Sequence, residues 1–151
     1  YIYGSAEVIG LLCVQVFLAE ETVSAADRAT MDRGARYLGS AFQKINFLRD
    51  LADDHDLLGR TYFPGLDPEA FTDSRRDELL DDIDADLAVA AEAIAQLPPD
   101  SRRAVRAAHG LFAELSRRLR RTPAAQIRRT RIRVPDARKA VIILRALGGR
   151  P

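Results

Sequence analysis

Asp50 and Asp54 stand four residues apart near the end of a long helical pattern, with Gln43 and Asn46 before them. At about 100° per residue these four side chains fall within a sector of roughly 80°. Leu38, Ala41, Ile45, Leu48 and Ala52 fall in the opposite sector. Two carboxylates at this spacing repel each other, and the partial negative charge of a helix C-terminus adds to the penalty. A bound divalent cation reverses both effects. Oxygen-only donors favour Mg²⁺, Mn²⁺ or Ca²⁺ over Zn²⁺, and no D-x-[DN]-x-[DN]-G loop is present to suggest an EF-hand. Mg²⁺ completes its shell with water and phosphate oxygens, so the pattern points to a phosphorylated ligand within reach of Arg49 and Arg60. The competing reading is a solvated helix end, in which Asp53 and Asp56 pair with nearby arginines and contribute little. Gln43 and Asn46 weigh against it, because a purely solvated face would carry Lys and Glu there. His55 reads as an exposed neutral residue and His109 as a structural one.

The elements that must position these residues are all helical. No stretch of useful length alternates as a strand would, and no repeat is evident. The spacing predicts a first helix over about Tyr3 to Glu20 and a second, capped by Ser24, reaching about His55. Gly34 and Gly39 lie inside the second helix, where glycine is unfavourable by about 1 kcal/mol relative to alanine. Their presence suggests close approach of a neighbouring helix or ligand. Residues 59 to 73 read as a loop, broken by Gly59, Pro64, Gly65 and Pro68. Asp73 or Ser74 is expected to open a third helix to about Leu97, and Pro98-Pro99 to end it. A fourth follows from Asp100 or Ser101 to about Arg121. Thr122-Pro123 starts a short fifth piece, and Pro135 a last helix closed by Gly148-Gly149.

With 151 residues, 47% hydrophobic and 30% charged, the chain suits one packed domain and is not disordered. A net charge of +1 gives no general case for nucleic acid. The charge is nevertheless uneven, acidic from Asp50 to Asp86 and basic from Arg102 to Arg145. The lone cysteine, Cys13, excludes an intrachain disulfide and makes a reducing, cytoplasmic setting the default; within VIGLLCVQVFLA it is expected to be a small buried hydrophobe. That run is shorter than the roughly 20 apolar residues a membrane helix needs.

Three blocks resemble the squalene/phytoene synthase family, the head-to-head prenyltransferases. YIYGSAEVIGLLC looks like a family helix from mid-protein. YLGSAFQKINFLRDLADDHDLLGRTYFP looks like the second aspartate-rich motif with its R-x-Y-[FL]-P extension, and RIRVPDARKAVIILRAL looks like the basic segment and final helix. The resemblance implies an all-α isoprenoid-synthase bundle, of which residues 1–151 form the C-terminal half. The first aspartate-rich motif would then precede Tyr1, and this portion alone would be inactive. It further implies Asp50 and Asp54 as metal ligands and Gln43 and Asn46 on the polar rim. Arg49, Arg60 and one of Arg131 or Arg133 would bind phosphate. Tyr3, Gly4, Ala6 and Gly10 would line a prenyl cavity with Tyr62 at its mouth. Among family activities the resemblance is nearest to bacterial phytoene synthase, which joins two geranylgeranyl diphosphates through a cyclopropyl intermediate with Mg²⁺ (or Mn²⁺) and without NADPH. Presqualene, squalene or dehydrosqualene synthesis from farnesyl diphosphate is the alternative. Peripheral contact with the inner membrane face is compatible with such a protein, and no nucleic-acid partner is expected.

A different class of answer is a basic helical module in which SRRLRRTPAAQIRRTRIRV binds RNA or an anionic membrane. Such a module predicts steep salt dependence and no Mg²⁺ requirement. A half-bundle would leave apolar faces uncovered, and self-association is expected.

Overall fold

The computed structural model describes residues 3–51 and 71–148, the side chains of residues 3 and 4 excepted. The predicted sites Asp54, Arg60 and Tyr62, with His55 and the predicted loop up to residue 70, lie outside the described residues. Within them the protein is all-α, without strands. A π-helical turn, Tyr3–Glu7, leads into α1, Val8–Phe17. Then come α2, Ala25–Arg49, α3, Asp73–Ile94, and α4, Pro99–Arg121. A single turn, α5, Ala124–Ile127, precedes α6, Asp136–Gly148.

Local chemistry accounts for most of these boundaries. Ser24 caps α2, its hydroxyl oxygen accepting the Asp27 backbone N–H at 3.1 Å. Pro99 occupies the first turn of α4, where a missing N–H is harmless. Two ends depart from expectation, those of α1 and α2. α3 opens at Asp73, as expected, and its cap is Thr72, which accepts the Arg75 N–H at 3.2 Å. The Asp73 carboxylate is engaged elsewhere, accepting the Ala124 N–H at 2.7 Å and Arg76 Nη1 at 2.9 Å, and so caps α5 from across the fold. The helix expected to reach His55 ends at Arg49, with Asp50 as its C-cap at φ −96°, ψ 8°. The first helix likewise stops at Phe17, short of Glu20.

The cross-links between helices fix their directions. Gly34 faces Ala93 while Ser40 and Lys44 reach Asp86, so α2 and α3 run antiparallel. His109 on α4 binds the Leu87 carbonyl at 3.0 Å while Arg120 reaches Asp81 and Asp84, so α3 and α4 do too. Ile142 meets Gly110 and Arg138 meets Glu114, which sets α6 antiparallel to α4. The main core joins Ala41, Ile45 and Leu48 of α2 to Leu80, Ile83 and Leu87 of α3, Leu119 of α4 and Ile127. The predicted aliphatic stripe of α2 therefore faces inward. A smaller cluster around Val14, Met31, Ile94 and Leu97 holds α1 to the far end.

Two glycines of α2 set how closely its neighbours come. A Cβ at Gly34 would overlap the Cβ of Ala93, and one at Gly39 would overlap the carbonyl oxygen of Ala6. Gly10 meets the Ala35 carbonyl in the same way, so α1 lies backbone to backbone on α2. Cys13 is not buried as expected: it is exposed, on an α1 whose Ile9, Leu12 and Val16 are also largely exposed. The apolar run is uncovered because α1 presents one face to α2 and carries hydrophobic residues all round.

Candidate functional site

A cavity of about 430 Å³ lies between α1, α2, α3 and α4. Its wall along α2 runs from Met31 to Gln43, about 18 Å at 1.5 Å per residue. Small residues make the space: Ala6 and Gly10 from the N-terminal segment, Gly34 and Gly39 from α2, Ala90 and Ala93 from α3. Phe17, Met31 and Leu97 line the end remote from Asp50, and Phe42 with Gln43 the end nearest it. Phe42 stacks on Phe112, ring centroids 3.7 Å apart and planes within 14°, which steadies that end of the wall. A largely apolar concavity of this length has room for an extended apolar chain.

The polar stripe of α2 continues beyond the cavity. Gln43 is its last lining residue, Asn46 follows about one turn on and Asp50 about two. The Asn46 side-chain oxygen Oδ1 is buried and has no hydrogen-bond partner among the described residues. An orphaned buried acceptor is unfavourable by about 1–3 kcal/mol, and this one is left with its hydrogen-bonding capacity unused among the described residues. Asp50, with 23% of its side chain exposed, is held by two arginines. Arg49 grips it through both Nε, at 2.8 Å, and Nη2. Arg131, from the segment between α5 and α6, reaches Oδ1 through Nε at 3.0 Å. The structure thus brings Arg49 and Arg131 together on Asp50, beside Asn46, and places Arg133 elsewhere, in a pocket beside α4. Tyr3 and Gly4 fall in the π-helical turn, and the Tyr3 side chain lies outside the described residues.

The donors present suit a hard cation. Asp50 and Asn46 offer oxygen only, and Mg²⁺ takes one or two carboxylates with phosphate and water completing its shell. Among the described residues no three His, Cys, Asp or Glu side chains cluster closely enough to form a protein-only metal cage.

Sequence reasoning missed the contributions of α3 and α4 to the cavity. The Ala90/Ala93 and Ala104/Ala108 spacings of three and four were the available signal. It also missed a buried polar link beneath the stripe. Ser40 Oγ donates to Asp86 Oδ2 at 3.0 Å, and Lys44 Nζ binds the same oxygen at 2.8 Å and Asp82 as well. Burial alone would lower the Lys44 pKa, but hydrogen bonds and charge from Asp82 and Asp86 outweigh it and hold the ammonium above its ordinary range. The basic run from Arg102 is partly matched inside the fold: Arg120 bridges Asp81 at 2.8 Å and Asp84 at 3.0 Å, so acidic α3 and basic α4 neutralise each other.

The described residues thus combine an all-α frame, an apolar cavity and, at one end of it, carboxylate, amide and guanidinium groups. The family model for squalene/phytoene synthase matches residues 1–138, and the chain belongs to that family. Its chemistry is the head-to-head condensation of prenyl diphosphates. No curated protein and no solved structure matches the chain. Among the described residues no helix is long and apolar enough to cross a membrane.

Proposed function

We propose that the chain contributes the second aspartate-rich site of a phytoene synthase acting on geranylgeranyl diphosphate. The observation that carries this reading is the continuity of the apolar cavity with the Gln43–Asn46–Asp50 stripe and its two arginines. The prenyl chain lies along α2 between small residues, with Met31 and Phe17 at its far end. The diphosphate rests at the Asp50 end. Asp50 and Asn46 would hold Mg²⁺, with Asp54 as the further carboxylate expected from the sequence. When bound, the metal neutralises charge that builds on the departing diphosphate. Arg49 and Arg131 exchange Asp50 oxygens for phosphate oxygens, a swap favoured by guanidinium geometry. The apolar wall reduces the water around the allylic cation, and Phe42 lines that wall at the end nearest Asp50.

The test is binding of non-hydrolysable geranylgeranyl and farnesyl thiodiphosphates to the chain, with and without Mg²⁺. The C20 analogue is expected to bind more tightly and only with the metal, and Asp50→Ala to weaken it by about tenfold or more. Preference for the C15 analogue would move the assignment to a farnesyl-using synthase. Metal-independent binding that Asp50→Ala leaves unchanged would remove the site altogether.

A further inference from the structure

A second concavity, of about 360 Å³, shares no lining residue with the apolar cavity. Glu114, Arg117, Arg118 and Arg121 of α4 line one side, and Arg131 and Arg133 of the later segment the other. Arginines in the last turn of a helix complement its dipole, which accounts for Arg118 and Arg121 taken singly. It does not account for the convergence of two further arginines from a different segment, nor for the carboxylate at the centre. Glu114 is almost wholly buried and ion-paired three ways, to Arg117 at 2.8 Å, Arg118 at 3.1 Å and Arg138 at 3.3 Å. Its single charge fixes three guanidinium groups in place and leaves the pocket strongly positive. Arg121 and Arg133 are exposed and have no carboxylate partner among the described residues. Arg131 stands between the two sites, lining this pocket while bound to Asp50.

We infer that this pocket is a metal-independent site for a phosphate-bearing anion of several charges, such as inorganic pyrophosphate. Preorganised guanidinium groups on two sides of a concavity match the oxygens of such a ligand, and Arg121 and Arg133 supply the charge that no carboxylate in the pocket cancels. The inference does not depend on the metal site of the proposed function. Because Arg131 touches both, the pocket is placed to receive pyrophosphate released at Asp50.

Calorimetric titration of the chain with sodium pyrophosphate in EDTA, at about 0.15 M salt, tests it. Saturable binding is expected, weakened about tenfold or more by Arg121→Ala/Arg133→Ala. Arg33→Ala/Arg103→Ala, which removes the same charge from exposed positions outside the pocket, is expected to leave it unchanged. Vesicles with and without phosphatidate distinguish the source of the phosphate. Binding to phosphatidate vesicles but not to free pyrophosphate, with the same dependence on Arg121 and Arg133, assigns the pocket to a lipid headgroup. Equal weakening by the two double variants, or no binding to either probe, overturns the inference. Asp50→Ala is expected to retain metal-free pyrophosphate binding while losing Mg²⁺-dependent binding of the prenyl analogue, so either reading can fail without the other.

Discussion

At the scale of single residues, charge placement carries the most consequences. Glu114 is buried, which alone would raise its pKa, but the hydrogen bond from Arg138 and the charges of Arg117, Arg138 and Arg118 outweigh burial and hold it below its ordinary value of 4.5. Between the folded and unfolded pKa values the unfolded chain binds the extra proton, so stability rises with pH there. The contribution of Glu114 is therefore present above about pH 4.5 and lost on further acidification. Urea denaturation across this range should show a shallower acid loss in Glu114→Gln than in the parent. The link under the polar stripe is equally open to test. Asp86→Ala leaves the ammonium of Lys44 and the hydroxyl of Ser40 without their shared acceptor, and should destabilise by about 3 kcal/mol. An unchanged denaturation midpoint would show that Asp82 and water replace it. Asp50, Asn46 and Gln43 could be singled out in the sequence because carboxylates and amides stood where lysine and glutamate would be expected. The Arg131–Asp50 pair could not, since it joins positions 81 apart whose meeting depends on the fold.

At the scale of elements, small residues decide how the helices fit. Gly34→Ala should destabilise by about 1–3 kcal/mol through its overlap with Ala93, and Ala93→Gly should recover part of that loss in a double-mutant cycle. Additive effects would place the two apart in solution. Among the described residues, helix order and approximate length were legible because apolar spacing, Ser24 and the prolines all agreed. The buried positions of α3 at Leu80, Ile83, Leu87 and Ala90 keep a helical period throughout. The cap of α3 was less legible. Asp73 is as good a cap as Thr72 by type, and only the backbone of Ala124, 51 residues on, draws it away. The early end of α2 was hidden too, because helical spacing continues through Ala52 whether or not the backbone turns at Asp50.

At the scale of the whole molecule, two apolar faces stay open among the described residues. Ile9 and Val16 on α1 are 61% and 72% exposed, and Leu144 and Leu147 on α6 are 67% and 56% exposed. Faces of this kind mark association surfaces. Sedimentation of the chain should show concentration-dependent self-association, reduced by Ile9→Glu/Val16→Glu; a monomer at every concentration would contradict it. The burial of Cys13 was misjudged for the same reason: hydrophobic sequence says what prefers to be covered, not whether a cover is at hand. The antiparallel packing of α2, α3, α4 and α6 has a kinetic consequence as well. Among the described residues α2 packs mainly on α3, and α4 on α3 and α6, so most contacts join elements near in sequence and spend little loop entropy. Refolding from denaturant should accordingly be fast.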